Sequence, residues 1–257
     1  MRLRKVQSVG KESGVDEARL ATREVRELDR VAIEEFGVAG VVLMENAGAG
    51  AAALLGRLAA GGPVAIACGR GNNGGDGFVI ARHLDAAGHP VRLLLAATPE
   101  AYAGDAAINL RICQRSGLPL ACLADADEAA WCRELGGADW IVDALLGTGA
   151  VGPPRGGVAA AIAAINRRRA ADDRVRVLAV DLPSGLDADT GVAAGPCVRA
   201  DVTATFVAEK RGFANPQAAE FTGPVHVLGI GAPAAVLRRF GVSRRAHGPG
   251  TSTPARP

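Results

Sequence analysis

The chemistry that this sequence can perform is suggested first by a glycine-rich segment, residues 69–77, with the sequence GRGNNGGDG. It follows an apolar stretch, residues 64–68, and precedes a helical pattern. Glycine lets the backbone approach a phosphate closely, and a helix N-terminus presents free N–H groups to an anion. The spacing differs from the G-x-G-x-x-G fingerprint, so the strand-to-helix context carries the prediction of phosphate binding. The alternative is a tight turn, and in both interpretations Asp76 is expected to cap the helix.

Two aspartates occupy the ends of predicted buried strands. Asp143 ends the stretch 140–143, and a long segment rich in Gly and Pro follows it; Asp181 directly follows the stretch 175–180. Taken singly, a carboxylate in such a place more often caps a turn than binds a ligand. Ligands bind at the carboxyl ends of the strands in open α/β sheets. Both carboxylates and the glycine-rich loop are therefore expected to meet in one crevice.

Oxygen-bearing side chains in these loops could also hold a hard cation. Asn73, Asp143 and Ser184 supply amide, carboxylate and hydroxyl oxygens. Asp181 would then serve as the general acid and base. The segment 187–191 has turn chemistry, and it lacks the glycine and the terminal glutamate of an EF-hand loop.

Composition places the chain among globular α/β proteins. Its 257 residues, 49% of them apolar, suit one large domain. A formal net charge of +2 without an internal basic block gives no indication of nucleic-acid binding. No run approaches the roughly 20 apolar residues of a membrane helix, and no signal peptide is evident. Five scattered cysteines without a C-x-x-C pair favour neither a disulfide framework nor a zinc site, so the expected compartment is a reducing cytoplasm.

Alternating strand and helix patterns predict a three-layer αβα fold around a doubly wound, mostly parallel sheet. The strand candidates are continuous apolar runs, which are typical of strands buried on both faces. They are residues 64–68, 91–95, 140–143, 175–180, 202–207 and 225–228, with a weaker candidate at 118–122. The helical patterns are residues 22–36, 42–60, 77–87, 102–116, 127–135 and 158–168, and Thr22 is the expected N-cap of the first.

Composition also sets the expected domain boundaries. A single domain is predicted at 21–242, between a flexible leader at 1–20 and a disordered tail at 243–257.

Five motifs together resemble the NAD(P)H-hydrate epimerase family, also called the YjeF N-terminal domain. They are LMENAG at 43–48, GNNGGDG at 71–77, DALLGTG at 143–149, VDLPSGLD at 180–187 and EKRG at 209–212. The resemblance spans about residues 22–233, in order and at the expected spacing. It implies a Rossmann-like fold, a homodimer, and interconversion of the R and S forms of NADHX and NADPHX, which are hydrated at C6 of the nicotinamide ring.

The resemblance also assigns roles to residues. Asp181 would be the catalytic carboxylate, and a potassium ion would bind Asn73, Asp143 and Ser184, where it would offset the charge of a pyrophosphate. The substrate contacts would be Asn72, Asn73, Gly74, Gly75, Asp76, Gly147, Thr148, Gly149, Ala150, Val151, Gly152, Pro153 and Asp181.

Several roles stay open at this stage. Lys210 contacts the substrate or is simply solvated. Glu45 and Asn46 lie near the site or serve helix packing. The helix at 22–36 supplies dimer contacts or packs only within its own subunit.

Three interpretations of the function compete. The resemblance favours an epimerase without a fused dehydratase domain, which would need a separate NAD(P)HX dehydratase to complete repair. An ordinary NAD(P)-dependent oxidoreductase is permitted by the fold, but no residue set for hydride transfer is visible. A non-catalytic binding or scaffold module would be expected to lose the site residues, and this sequence retains them.

Overall fold

A seven-stranded parallel sheet lies at the centre of the fold, with helices on both of its faces. The computed structural model describes residues 18–59 and 61–242. The strands are β1 (Arg19–Leu20), β2 (Val64–Cys68), β3 (Val91–Leu95), β4 (Leu120–Cys122), β5 (Trp140–Ala144), β6 (Arg176–Val180), β7 (Val202–Phe206), β8 (Glu209–Lys210) and β9 (Val225–Leu228). The helices are α1 (Thr22–Arg30), α2 (Gly40–Leu58), α3 (Asn72–Ala86), α4 (Gly104–Arg115), α5 (Glu128–Glu134), α6 (Gly156–Ala171), α7 (Ala219–Thr222) and α8 (Ala234–Arg239).

The strand order of the main sheet is β4-β3-β2-β5-β6-β7-β9, and every neighbouring pair is parallel. The chain therefore winds outward from β2 in one direction and from β5 in the other. The reversal between β2 and β5 is the topological switch point, where open α/β sheets bind ligands. The predicted doubly wound, single-domain α/β fold is confirmed.

Alternate residues of the central strands point into two separate cores. On one face Ile66 packs with Phe78 of α3, and on the other Ala65 packs with Trp131 of α5 and Ile165 of α6. Strands buried on both faces must be apolar at every position, which is why β2 is an unbroken apolar run.

Two predictions about the N-terminal ends of helices are wrong. The N-cap of α1 is Ala21, whose ψ of 158° is extended, and Thr22 is already the first helical residue. The Glu24 carboxylate accepts a hydrogen bond from the Ala21 N–H at 2.8 Å and stabilises this end. Helix α3 begins at Asn72 instead of residue 77, so Asp76 lies inside the helix and does not cap it.

Helix α2 corrects the expectation that no stretch approaches the length of a membrane span. Its 19 residues meet that requirement by length and composition. Its apolar side chains, among them Leu43, Met44, Leu54 and Leu55, are buried inside the domain. Such burial is typical of a core helix, and this one packs against α3.

The N-terminal end of the described chain is part of the fold. Arg19–Leu20 pair in parallel with Glu209–Lys210 and form a second, two-stranded sheet. Two residues of the predicted leader therefore hold β8 in place. The rest of that leader at 1–17, residue Ala60 and the predicted tail at 243–257 lie outside the described residues, and their predictions stand as such.

Candidate active site

A cleft of about 1040 Å³ opens at the carboxyl ends of the central strands. The loops after β2 and β5, the residue after β6, and helix α1 form its walls. The predicted substrate residues that line it are Asn72, Asn73, Asp76, Gly147, Thr148, Gly149, Ala150, Val151, Gly152, Pro153 and Asp181. Most of the predicted contacts, drawn from three separate stretches of sequence, therefore share one cavity.

The glycine-rich loop is folded tightly against its own backbone. A Cβ atom on Gly74 would lie 1.7 Å from the Gly69 carbonyl oxygen, and one on Gly69 would lie 1.8 Å from the Leu145 carbonyl oxygen. Only glycine fits at both positions. Gly75 packs against Met44. Gly74 and Gly75 therefore serve the packing of the loop and do not line the cleft, so their contact with substrate stays a prediction. The first-turn N–H groups of α3 have no intrahelical acceptor and are free to bind an anion.

The chain turns sharply at Asp181, the residue after β6. Its φ is 68°, and the Leu182 N–H donates to the Val180 carbonyl at 2.9 Å, which makes a γ-turn of the rare positive-φ form. A second turn of the same kind follows β7 at Val207, where φ is also 68°. Strained turns of this kind are found at functional sites, and both Asp181 and Val207 line the cleft.

The Asp181 carboxylate is held by a buried cation. The Lys210 Nζ lies 2.7 Å from its Oδ1, and the side chain of Lys210 is 0% exposed against 12% for that of Asp181. The Thr148 N–H donates to the other carboxylate oxygen at 3.2 Å. Lys210, whose role the sequence left open, therefore belongs to the site and fixes the carboxylate that was predicted to be catalytic.

The positive charge of Lys210 also acts on two further carboxyl groups, those of Asp29 and Asp76. Burial raises the pKa of Asp29 to about 6, with the Lys210 charge opposing and the Asp181 charge adding to the shift. Burial also raises the pKa of Asp76 well above its usual range, and the negative charges of Asp181 and Asp29 add to it. One buried cation thus faces three carboxyl groups. At least one of the three is expected to carry a proton near neutral pH.

Sequence reasoning missed Asp29. It lies in α1, which was predicted only to pack or to form dimer contacts. The available signal was helical spacing, because Val25, Asp29 and Ile33 lie four residues apart and all line the cleft.

Of the predicted metal ligands, Asn73 lines the cleft, whereas Asp143 and Ser184 are fully buried and do not line it. Asp143 is fully buried, and it accepts hydrogen bonds from the Ser184 N–H at 2.8 Å and from the Ser184 hydroxyl at 2.6 Å. Burial raises the pKa of Asp143 to about 6, and the hydrogen bonds of Ser184 oppose this shift. Both polar atoms of the Asn73 side chain are buried without a hydrogen-bond partner in the described chain. A buried amide oxygen without a hydrogen-bond partner suits an oxygen-ligated cation.

Glu45 joins α2 to α3, and Asn46 joins α2 to the segment that follows β9. Glu45 of α2 pairs with Arg82 and with His83 of α3, and the His83 Nε2 lies 2.8 Å from the carboxylate. The Asn46 amide donates to the Ile230 carbonyl at 3.0 Å. Neither residue lines the cleft.

Comparison with known families decides the membership of the chain. The family model described as YjeF-related protein N-terminus matches residues 40–212, which is more than half of the chain. This chain belongs to the YjeF N-terminal family. The match contains the glycine-rich loop, both strand-end aspartates and Lys210, whereas Asp29 lies before it.

Two relatives are similar to this chain over most of their own length. A protein named NAD(P)H-hydrate epimerase from Rhodopirellula baltica is 46% identical over 223 residues, covering 87% of this chain and 88% of the relative. A second protein of that name, from Pirellula staleyi, is 46% identical over 220 residues, covering 85% and 94%.

Two further matches are to a longer protein and to a more distant one. A bifunctional NAD(P)H-hydrate repair enzyme Nnr from Moorella thermoacetica is 40% identical over 227 residues, which are 86% of this chain and 42% of that protein. The crystal structure of the yeast protein ynu0, YNL200c, matches with a TM-score of 0.72 at 22% identity, covering 87% of this chain and 93% of the yeast chain. That likeness supports the fold.

Proposed function

We propose that this chain is an NAD(P)H-hydrate epimerase that interconverts the R and S forms of NADHX and NADPHX. The observation that carries the proposal is the buried ion pair between Asp181 and Lys210, which lies in the cleft beside the glycine-rich loop. The names of the two relatives at 46% identity support it, because both are similar over at least 85% of this chain.

The cleft suits a dinucleotide in size and polarity. Its volume of about 1040 Å³ lies at the upper end of small-molecule sites, which hold roughly 300–1,000 Å³. The pyrophosphate binds the free N–H groups at the start of α3, where the glycine-rich loop allows a close approach. The nicotinamide end then lies toward Asp181 and Lys210, within the same cavity.

Epimerisation changes the configuration of C6, which carries the hydroxyl group and is bonded to the ring nitrogen. The C6–O bond breaks and re-forms on the other face, or the ring opens and closes again. Both routes need a proton to be delivered and removed at the hydroxyl. The Asp181 carboxylate is oriented for this by Lys210 and by the Thr148 N–H, and we assign it the role of base.

Potassium binding at Asn73, Asp143 and Ser184 is part of the proposal. Each of the three side chains offers an oxygen ligand, and no cationic side chain in the described residues bonds to the Asp143 carboxylate. A bound potassium ion would neutralise this carboxylate and offset the charge of the neighbouring pyrophosphate. The unpartnered amide of Asn73 is the structural feature that favours this assignment.

A homodimer is also proposed, with contacts from the segment that follows α1. Ile33 and Phe36 are 41% and 43% exposed, and Val42 at the start of α2 is 47% exposed. Large apolar side chains exposed together are typical of interfaces between chains.

A coupled repair assay tests the proposed function. A mixture of R and S NADHX is incubated with a dehydratase that accepts only the S form, and recovery of NADH is followed. Without an epimerase, recovery stops near the S fraction. Addition of this protein, with potassium present, is expected to bring it to completion. No gain beyond the slow spontaneous rate would overturn the proposal. We further propose that a separate NAD(P)HX dehydratase consumes the product in the same way in the cell.

A further inference from the structure

Helix α1 contributes one stripe of side chains to the cleft. Val25 and Asp29 lie on one face of α1, and Ile33, in the helical turn that follows α1, extends this stripe; all three line the cavity. Asp29 is the acid of this stripe, and its carboxyl group accepts no side-chain hydrogen bond among the described residues. Helix α1 lies outside the central sheet, so Asp29 approaches the cavity from a different element than Asp181 does.

The charges that face Asp29 come from three other elements. Lys210 of β8 lowers its pKa, whereas burial and the Asp181 carboxylate raise it, with a result of about 6. Asp76 of α3 also faces it, and the charge of Asp29 helps to raise the pKa of Asp76. Arg26, on the same helix as Asp29, lines the cleft as well. A group whose pKa lies near neutral can both give and take a proton. Asp76 is more deeply buried, and burial raises its pKa well above the usual range.

The proposed reaction needs such a second group. The hydroxyl groups of the R and S forms lie on opposite faces of the ring, whereas Lys210 and the Thr148 N–H hold the Asp181 carboxylate in one position. When two titratable groups of one site have different pKa values because their environments differ, one commonly serves as the acid and the other as the base.

We propose that Asp29 is a second catalytic carboxyl group, which donates the proton that the C6 hydroxyl needs in order to leave. This inference rests on the proposed epimerase function. The Asp29 proton moves to the hydroxyl oxygen, the C6–O bond breaks with its electron pair going to oxygen, and water departs. The lone pair of the ring nitrogen forms a double bond to C6. Water then adds to the other face, and its extra proton moves to the Asp181 carboxylate.

The protons balance over a full cycle. One proton leaves Asp29 and one reaches Asp181, so exchange with solvent restores both groups before the next turnover. In the reverse direction the two residues exchange roles.

Substitution of Asp29 with asparagine tests the inference. We expect the rate of epimerisation to fall by about 10² to 10⁴ in Asp29→Asn, while the dissociation constant of NAD⁺, measured by calorimetry, changes less than about threefold. Glu27→Gln is the matched control, because Glu27 lies on the same helix and pairs with Arg30 away from the cleft. A rate in Asp29→Asn within about threefold of wild type would overturn the inference, and so would a parallel loss of NAD⁺ binding.

Two further readouts do not depend on the fold of that variant. In wild type, kcat/KM is expected to fall in both directions as the pH rises through about 6, because the pair must hold one proton, and a rate without this decline would contradict the proposal. In Asp29→Ala, added formate is expected to restore part of the rate, whereas chloride restores none. An inactive wild-type protein would overturn the epimerase function itself, so the two failures are distinguishable.

Discussion

The Nζ atom of Lys210 lies 2.7 Å from the Oδ1 atom of Asp181, and the lysine side chain is fully buried. This contact joins two distant parts of the sequence. Asp181 follows strand β6, whereas Lys210 lies in β8, which pairs with the N-terminal strand β1. A buried charge is tolerated only with a well-placed partner, so the ion pair fixes the geometry of the cleft.

Removing the negative charge of Asp181 is expected to abolish most activity. Asparagine has nearly the same shape and adopts positive φ readily, so Asp181→Asn should retain the γ-turn. We expect epimerisation to fall by about 10² to 10⁴ with little change in NAD⁺ binding. Asp173→Asn, on an exposed loop, is the control. A rate within threefold of wild type in Asp181→Asn would remove Asp181 from the mechanism.

Removing the buried cation is expected to destabilise the protein. Lys210→Met leaves Asp29, Asp76 and Asp181 together without their counter-charge, and we expect a loss of about 3–5 kcal/mol in the free energy of unfolding at pH 7. The loss should shrink at pH 4, where protonation of carboxyl groups removes part of the negative charge that is left without a partner. Urea denaturation at both pH values measures it, with the exposed Arg57→Met as control. Equal stability of Lys210→Met and wild type at pH 7 would contradict the account.

The raised pKa of Asp29 predicts a specific pH dependence of stability. Burial raises this pKa from 3.8 to about 6, so the folded state holds a proton that the unfolded state releases. The contribution of Asp29 to stability therefore declines as the pH rises from about 4 to 6. Relative to wild type, the free energy of unfolding of Asp29→Asn should therefore rise by up to about 3 kcal/mol between pH 4 and pH 6, and should not rise further above pH 6.

Urea denaturation at fixed potassium concentration between pH 4 and pH 7 measures the gain in Asp29→Asn. The control is Glu27→Gln, because a hydrogen bond from Arg30 lowers the pKa of Glu27 and the same gain is not expected. A difference between Asp29→Asn and wild type that is constant over this range would show that Asp29 has an ordinary pKa.

The glycine-rich loop offers a pair of matched substitutions. A Cβ on Gly74 would lie 1.7 Å from the Gly69 carbonyl oxygen, whereas one on Gly71 would meet no atom within 4 Å. Gly74→Ala is expected to lose at least about 3 kcal/mol, and Gly71→Ala is expected to stay within about 1 kcal/mol of wild type. Chemical denaturation of both variants checks this, and similar stabilities would refute the described packing of the loop.

Potassium is expected to stabilise the protein through the orphaned amide of Asn73. At constant ionic strength, replacing choline chloride with potassium chloride should raise the Tm of wild type by a few degrees, because the ion binds the folded state. Asn73→Ala should lose this increase, whereas Asn72→Ala, at the neighbouring exposed position, should retain it. The same Tm in both salts would remove the proposed cation site.

Much of the sheet could be predicted from sequence alone. The strands Val64–Cys68, Val91–Leu95 and Val225–Leu228 have the predicted bounds. Burial on both faces imposes unbroken apolar runs on the central strands, and such runs are visible in one sequence. The start of α3 was missed because four glycines in residues 69–75 indicate a loop, although their purpose is close backbone packing.

The charges of the site were harder to predict. A lysine just after a strand is usually solvated. Lys210 is instead buried in strand β8, which pairs with Leu20 of β1, far away in the sequence. The pKa of Asp29 depends on burial and on the charges of Lys210 and Asp181, which no local pattern connects to α1. Local patterns therefore predicted the loops and their glycines. They did not predict the cluster of charged groups that the fold brings together, which is Asp29, Asp76, Asp181 and Lys210.

The most direct test of the central claim follows the two epimers without a coupling enzyme. Purified S NADHX is incubated with the protein and potassium, and the R form is quantified by chromatography against time. Wild type is expected to reach the equilibrium mixture far ahead of the spontaneous reaction, and Asp181→Asn is expected to follow the spontaneous rate. If wild type and Asp181→Asn approach equilibrium equally fast, the Asp181–Lys210 pair is not the catalytic centre.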